Sequence, residues 1–122
     1  MRLFDTHAHL DDEAFDADRY HVVARAERAG LAALLAVGTT AQSSLQCVNL
    51  AGQYPIISAA VGIQPNYVAE AAAGDWDQVV RLAEANKVVA LPYTTKARKK
   101  SPTKWSWKNP IKLFLKLPKP ST

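Results

Sequence analysis

A chain of 122 residues, 48% of them hydrophobic, has room for one domain with a modest core. Its net charge of +4 is unevenly placed: residues 1–91 carry six Lys and Arg against all eleven acidic residues, a net −5, whereas residues 92–122 carry nine basic residues and no acid. Overall basicity is therefore no argument for nucleic-acid binding by the first ninety-one residues, and the single Cys47 excludes an intrachain disulfide scaffold.

The first residues, Met1-Arg2-Leu3-Phe4-Asp5, contain no apolar leader, and no segment reaches the roughly eighteen apolar residues of a membrane span. With a lone cysteine, these features lead to the expectation of a cytoplasmic protein with no membrane and no disulfide partner. Leu3-Phe4 opens a short strand that runs into Asp5-Thr6-His7-Ala8-His9. In extended backbone the side chains of i and i+2 leave the same face, so His7 and His9 offer two imidazoles to one point, with Asp5 on that face as well. Imidazole is the commonest protein ligand for zinc and its neighbours, which makes His7 and His9 candidate metal ligands. No catalytic residue is assigned.

After the acidic turn Asp11-Asp12-Glu13, a helix is expected from Asp16 or Asp18 to Gly30, with Val22, Val23, Ala26 and Ala29 at helical spacing. His21 falls within it as a surface residue. Leu31 to Val37 is a continuous apolar run ended by Gly38, as in a parallel strand buried on both faces. Thr40 caps a second helix with Ala41, Leu45 and Val48 as its apolar stripe, and Cys47 in it reads as a buried, inert thiol. Ile56 to Val61 forms a third strand, ending in Gly62-Ile63-Gln64-Pro65-Asn66. Asp75 and Gln78 have capping-box spacing at the start of a third helix that Asn86 ends. Val88 to Leu91 is a fourth strand. Strands recurring with a helix between each pair indicate an α/β fold with parallel strands.

At Pro92 the composition changes: residues 92–122 hold eight lysines and five prolines. Ile111, Leu113, Leu115 and Leu117 alternate with other residues between Pro110 and Pro118, but no helical period is present. The organisation expected is thus a folded unit over 1–91 and an irregular basic tail over 92–122.

Phe4-Asp5-Thr6-His7-Ala8-His9-Leu10, Ala36-Val37-Gly38-Thr39 and Ala60-Val61-Gly62-Ile63-Gln64-Pro65-Asn66 together resemble the TatD-type metal-dependent deoxyribonucleases over residues 1–91. The resemblance implies a (β/α)8 TIM barrel with divalent metal (zinc, magnesium or manganese) at the carboxyl ends of its strands, DNA as substrate, and phosphodiester hydrolysis by metal-activated water. It assigns metal binding to His7 and His9 alone. The family's Gly-Glu-x-Gly-Leu-Asp motif is expected after the fourth strand, but Pro92-Tyr93-Thr94-Thr95 follows Leu91, with Tyr93 in place of the metal-bridging glutamate. Gln64 stands where many relatives have histidine.

Four strands make half of a barrel that needs eight and about 250 residues, so the fold expected is a partial TIM barrel of four parallel strands and three intervening helices. A catalytic zinc site takes three protein ligands and water; His7 and His9 give two, and Asp5 at best a third. A truncated or frameshifted chain, inactive alone, is the reading that follows. Intact coding sequence for the missing motif in another frame supports it, and absence from all frames removes it. The alternative is a non-enzymatic module whose Trp105 and Trp107, among Lys104 and Lys108, hold nucleic acid by stacking and phosphate contacts, against a solvated basic tail with no selected role. Metal-dependent nuclease activity lost in His7→Ala favours the enzyme; binding that survives chelation and is lost on deleting 92–122 favours the module.

Overall fold

The computed structural model describes residues 2–90. Tyr93, the alternating segment 111–117 and the Trp105/Trp107 pair lie outside the described residues.

Four strands alternate with three helices in chain order: β1 (Leu3–Ala8), α1 (Arg19–Arg28), β2 (Leu31–Val37), α2 (Ala41–Gln53), β3 (Ile57–Ala60), α3 (Asp75–Leu82) and β4 (Val88–Ala90). The sheet order is β1-β2-β3-β4 and every pairing is parallel. Each strand lies beside its predecessor because the intervening helix carries the chain back across one face of the sheet. This is the α/β arrangement of parallel strands that the apolar runs predict. The β2–β3 register is regular, from Leu34 opposite Ile57 to Val37 opposite Ala60, whereas β1 carries register shifts after Leu3 and again between Asp5 and Ala8.

The two faces of the sheet differ. On the helix side Leu34, Ala36, Ile57, Ala59 and Val88 join Val23, Cys47, Ala51 and Val79 in the main core. On the opposite face Val37 and Ala60 are buried and Leu35 and Val89 only partly so, forming a small second cluster. Period-two alternation divides β2 between the two, Leu34 and Ala36 facing one way and Leu35 and Val37 the other. β1 differs from the other strands. Leu3 is 52% and Phe4 59% exposed, and among the described residues β1 has a hydrogen-bonded neighbour on one side only.

Several local expectations need correction. Thr40 does cap α2, accepting from the amide of Ser43 at 3.0 Å, but the buried face of that helix is Ala41, Ser44, Cys47 and Ala51, with Ser43 and Leu50, and Leu45 is exposed. Ser44 is buried because its hydroxyl bridges the backbone of Gly62, donating to the carbonyl at 3.1 Å and accepting from the amide at 3.0 Å. This contact also requires Gly38: a Cβ there would meet Ser44 Oγ and lie 2.6 Å from Ser44 Cα. At α3 the capping box does not form. Gly74, at φ 89°, occupies the capping position, and the Asp75 carboxylate reaches back to the amide of Ala72 at 2.9 Å. The helix ends at Leu82 rather than Asn86, and Lys87 then donates to the carbonyls of Ala51 (2.6 Å) and Tyr54 (3.0 Å) at the end of α2. A cation at a helix C-terminus satisfies carbonyls the helix cannot.

Candidate metal centre

β1 delivers the two histidines to the carboxyl end of the sheet, the rim where α/β barrels place their chemistry. The strand ends at Ala8, so His7 lies within it and His9 just past it. Their rings meet edge to face, centroids 4.9 Å apart and planes at 83°. Nε2 of His7 lies 3.2 Å from Nε2 of His9.

A second contact gives this approach chemical meaning. Nδ1 of His9 lies 2.9 Å from the carbonyl oxygen of Val37, the last residue of β2. A carbonyl only accepts, so Nδ1 must carry the proton, and in the neutral ring Nε2 is left with its lone pair. Backbone from the adjacent strand thus fixes both ring and tautomer, as carbonyl partners do for metal-ligating histidines. The His9 Nε2 lone pair faces His7 Nε2, so the two nitrogens are joined either by a proton on His7 or by a cation between them. Two nitrogens each about 2.05 Å from a tetrahedral zinc ion are themselves roughly 3.3 Å apart. The pair fits one edge of such a coordination polyhedron.

Asp5 does not join the pair. Its Oδ1 accepts the amide of His7 at 3.1 Å, and among the described residues no three His, Cys, Asp or Glu side chains gather closely enough to hold a metal ion. The local turn that uses Asp5 coincides with the register shift in β1. Gln64 stands just past β3, its amide donating to the carbonyl of Thr39 at 2.7 Å, which ties the β3 rim to the β2 rim. His21 is exposed and stacks edge to face on Tyr20.

The loop after β1 is held by a link that residue spacing does not reveal. Asp11 accepts from Ser43 Oγ at 2.7 Å and from Cys47 Sγ at 3.5 Å. Burial, then the neighbouring Asp11 carboxylate, pushes the Cys47 thiol well above its ordinary value, so this cysteine is an unreactive core residue. Each Asp11 carboxylate oxygen thus accepts a hydrogen bond from α2. Arg19 closes the same loop, donating to the carbonyls of Leu10 and Asp12 and to the Asp16 carboxylate at 2.8 Å. An open groove of about 450 Å³ lies elsewhere, between α2 and α3, lined by residues that include Leu45, Ile63, Tyr67 and Gln78. Neither histidine lines it; Tyr67, Glu70 and Asp75 do, but among the described residues they form no group able to hold a metal ion, so the metal chemistry points to the rim instead.

Comparison with known proteins gives a consistent result. Residues 4–109 match the family described as TatD related DNase. The chain is 34% identical over 89 residues to the 3'-5' ssDNA/RNA exonuclease TatD of Salmonella typhimurium, covering 73% of this chain and 34% of that protein. It is 32% identical over 89 residues to the uncharacterized metal-dependent hydrolase YabD of Bacillus subtilis, covering 73% of this chain and 35% of that protein. The crystal structure of YJJV, a TatD homolog from Escherichia coli k12, superposes with a TM-score of 0.67 at 27% identity, over 75% of this chain and 36% of that one. A TatD-family hydrolase from Entamoeba histolytica, at TM-score 0.64 and 24% identity over 73% and 36% of the two chains, shares the fold. The chain spans about a third of the length of the curated relatives it matches. With its histidine pair on the first of four parallel strands and its match over residues 4–109, the chain belongs to the TatD-related DNase family.

Proposed function

We propose that His7 and His9 are the first-strand ligands of a divalent-metal site for phosphodiester hydrolysis, and that the 122-residue chain supplies only this arm of it and is inactive alone. The observation that supports this is the 3.2 Å approach of the two Nε2 atoms with His9 locked by the Val37 carbonyl. Zinc, magnesium or manganese held here would polarise phosphoryl oxygens and provide a nucleophilic water at neutral pH. The chain's own part is to present two oriented nitrogens on a rigid strand end. Two imidazoles hold an ion weakly, and among the described residues no carboxylate joins them to bridge a second one. Relatives named as ssDNA/RNA exonucleases make single-stranded nucleic acid the first substrate to test, with residues 1–91 as the barrel portion and 92–122 as a basic tail.

The test is an assay of the purified chain on single- and double-stranded DNA with each metal, beside a version continued through the family's remaining strands. Activity confined to the longer protein, and lost there in His7→Ala, is expected. Equal turnover by the short chain would overturn the claim that ligands beyond His7 and His9 are required.

A further inference from the structure

Among the described residues both edges of the sheet are open, and they are complementary. The four strands run parallel with β1 at one edge and β4 at the other, so β1 of one chain and β4 of another can pair in the same parallel sense that joins every strand inside the chain. A twofold axis along the barrel axis makes that junction twice and closes eight strands, the number at which this class of barrel closes. We propose that two copies of this chain assemble head to tail into one eight-stranded barrel, and that the closed barrel brings both His7/His9 pairs to one metal site. The metal part rests on the reading of these histidines given above.

Three observations support this occupant. Leu3 and Phe4, on the open edge of β1, are more than half exposed. On the face away from the helices Leu35 and Val89 are only partly covered around Val37 and Ala60, as befits a barrel interior with its opposite wall missing. The charges also match. The segment following β4 carries nine basic residues and no acid, while the segment following β1 carries Asp11, Asp12, Glu13, Asp16 and Asp18.

The consequence for the site follows from symmetry. The second copy's β1 becomes the fifth strand, directly across the barrel, and an eight-stranded barrel is only wide enough for its side chains to fill. Four imidazoles then converge where a single chain has two. Such a set has the ligand count of a closed, structural zinc site and leaves no position for substrate, in keeping with an inactive chain.

Light scattering and sedimentation of the full chain should give twice its 13.3 kDa mass. Phe4→Lys should give a monomer with an unchanged circular dichroism spectrum, since Phe4 is exposed in one chain. Cysteines placed in β1 (Asp5→Cys or Thr6→Cys, one for each face) with Val89→Cys provide a second readout. Within one chain β1 and β4 are three strand spacings apart, roughly 14 Å, beyond the roughly 7 Å Cα separation a disulfide spans, so oxidation should yield only covalent dimers. Zinc titration should saturate at one ion per two chains, and His7→Ala should abolish it while leaving the dimer. A dimer without zinc binding would sink the metal reading and keep the assembly. Zinc bound one-to-one by a monomer would do the reverse, and open-ended oligomers or an intrachain disulfide would overturn the barrel.

Discussion

The β2–α2–β3 unit and the β1 edge both carry apolar side chains, and these meet opposite fates. Ile57, Ala59 and Ala60 in β3 have no exposed surface, and Val37 in β2 is 1% exposed; Phe4 in β1 is 59% exposed. A strand is buried by what lies on either side of it and on both its faces, not by its own composition. β2 and β3 each have two neighbouring strands, and the α2 layer covers them. Stability therefore resides in the centre of the sheet, while His7 stands on an edge strand and His9 just past its end.

The largest break in that comparison is Ile57→Ala. It removes a fully buried side chain from the main core and should cost about 3–4 kcal/mol, enough to unfold much of so small a domain, as read by urea denaturation. Gly38→Ala comes next. The new Cβ would lie 2.6 Å and 2.9 Å from backbone Cα and N of Ser44, and the overpacking should cost about 2–3 kcal/mol. Lys87→Met keeps the aliphatic stem but removes the ammonium donor from three carbonyls at the end of α2, a loss of about 1 kcal/mol in thermal unfolding. Phe4→Ala, by contrast, should change stability by less than about 0.5 kcal/mol in the monomer.

A pH series sharpens the same contrast. The Cys47 thiol is raised in the folded chain, so above the ordinary value of 9.0 the unfolded chain releases a proton that the folded chain retains. Its contribution is complete below pH 9 and is lost as the pH rises further. Wild type should therefore lose more stability than Cys47→Ala between pH 9 and pH 10.5, measured by urea midpoints. Equal loss in both would place Cys47 outside the core.

How much of this was legible depends on whether the cause was local. The runs Leu31–Val37 and Ile56–Val61, the Thr40 cap and the His7/His9 spacing each follow from near neighbours in sequence, and all are readable there. Leu45 was misassigned to the buried face because Ser43 and Ser44 look like surface residues. What buries them is Asp11, 32 residues away, and Gly62, 18 residues away, partners that no periodicity announces. Likewise the His-x-His spacing predicts two converging rings, but not the Val37 carbonyl 28 residues on that sets the His9 tautomer, nor the diversion of Asp5 to the His7 amide.

The central claim is that the histidine pair is a prepared metal arm rather than two exposed side chains at a strand end. Calorimetric zinc titration of the chain, beside the His7→Ala/His9→Ala double variant, tests it directly. Saturable binding that is abolished in the double variant is the predicted result. Binding that persists undiminished without both imidazoles, or no binding by either protein, would contradict it.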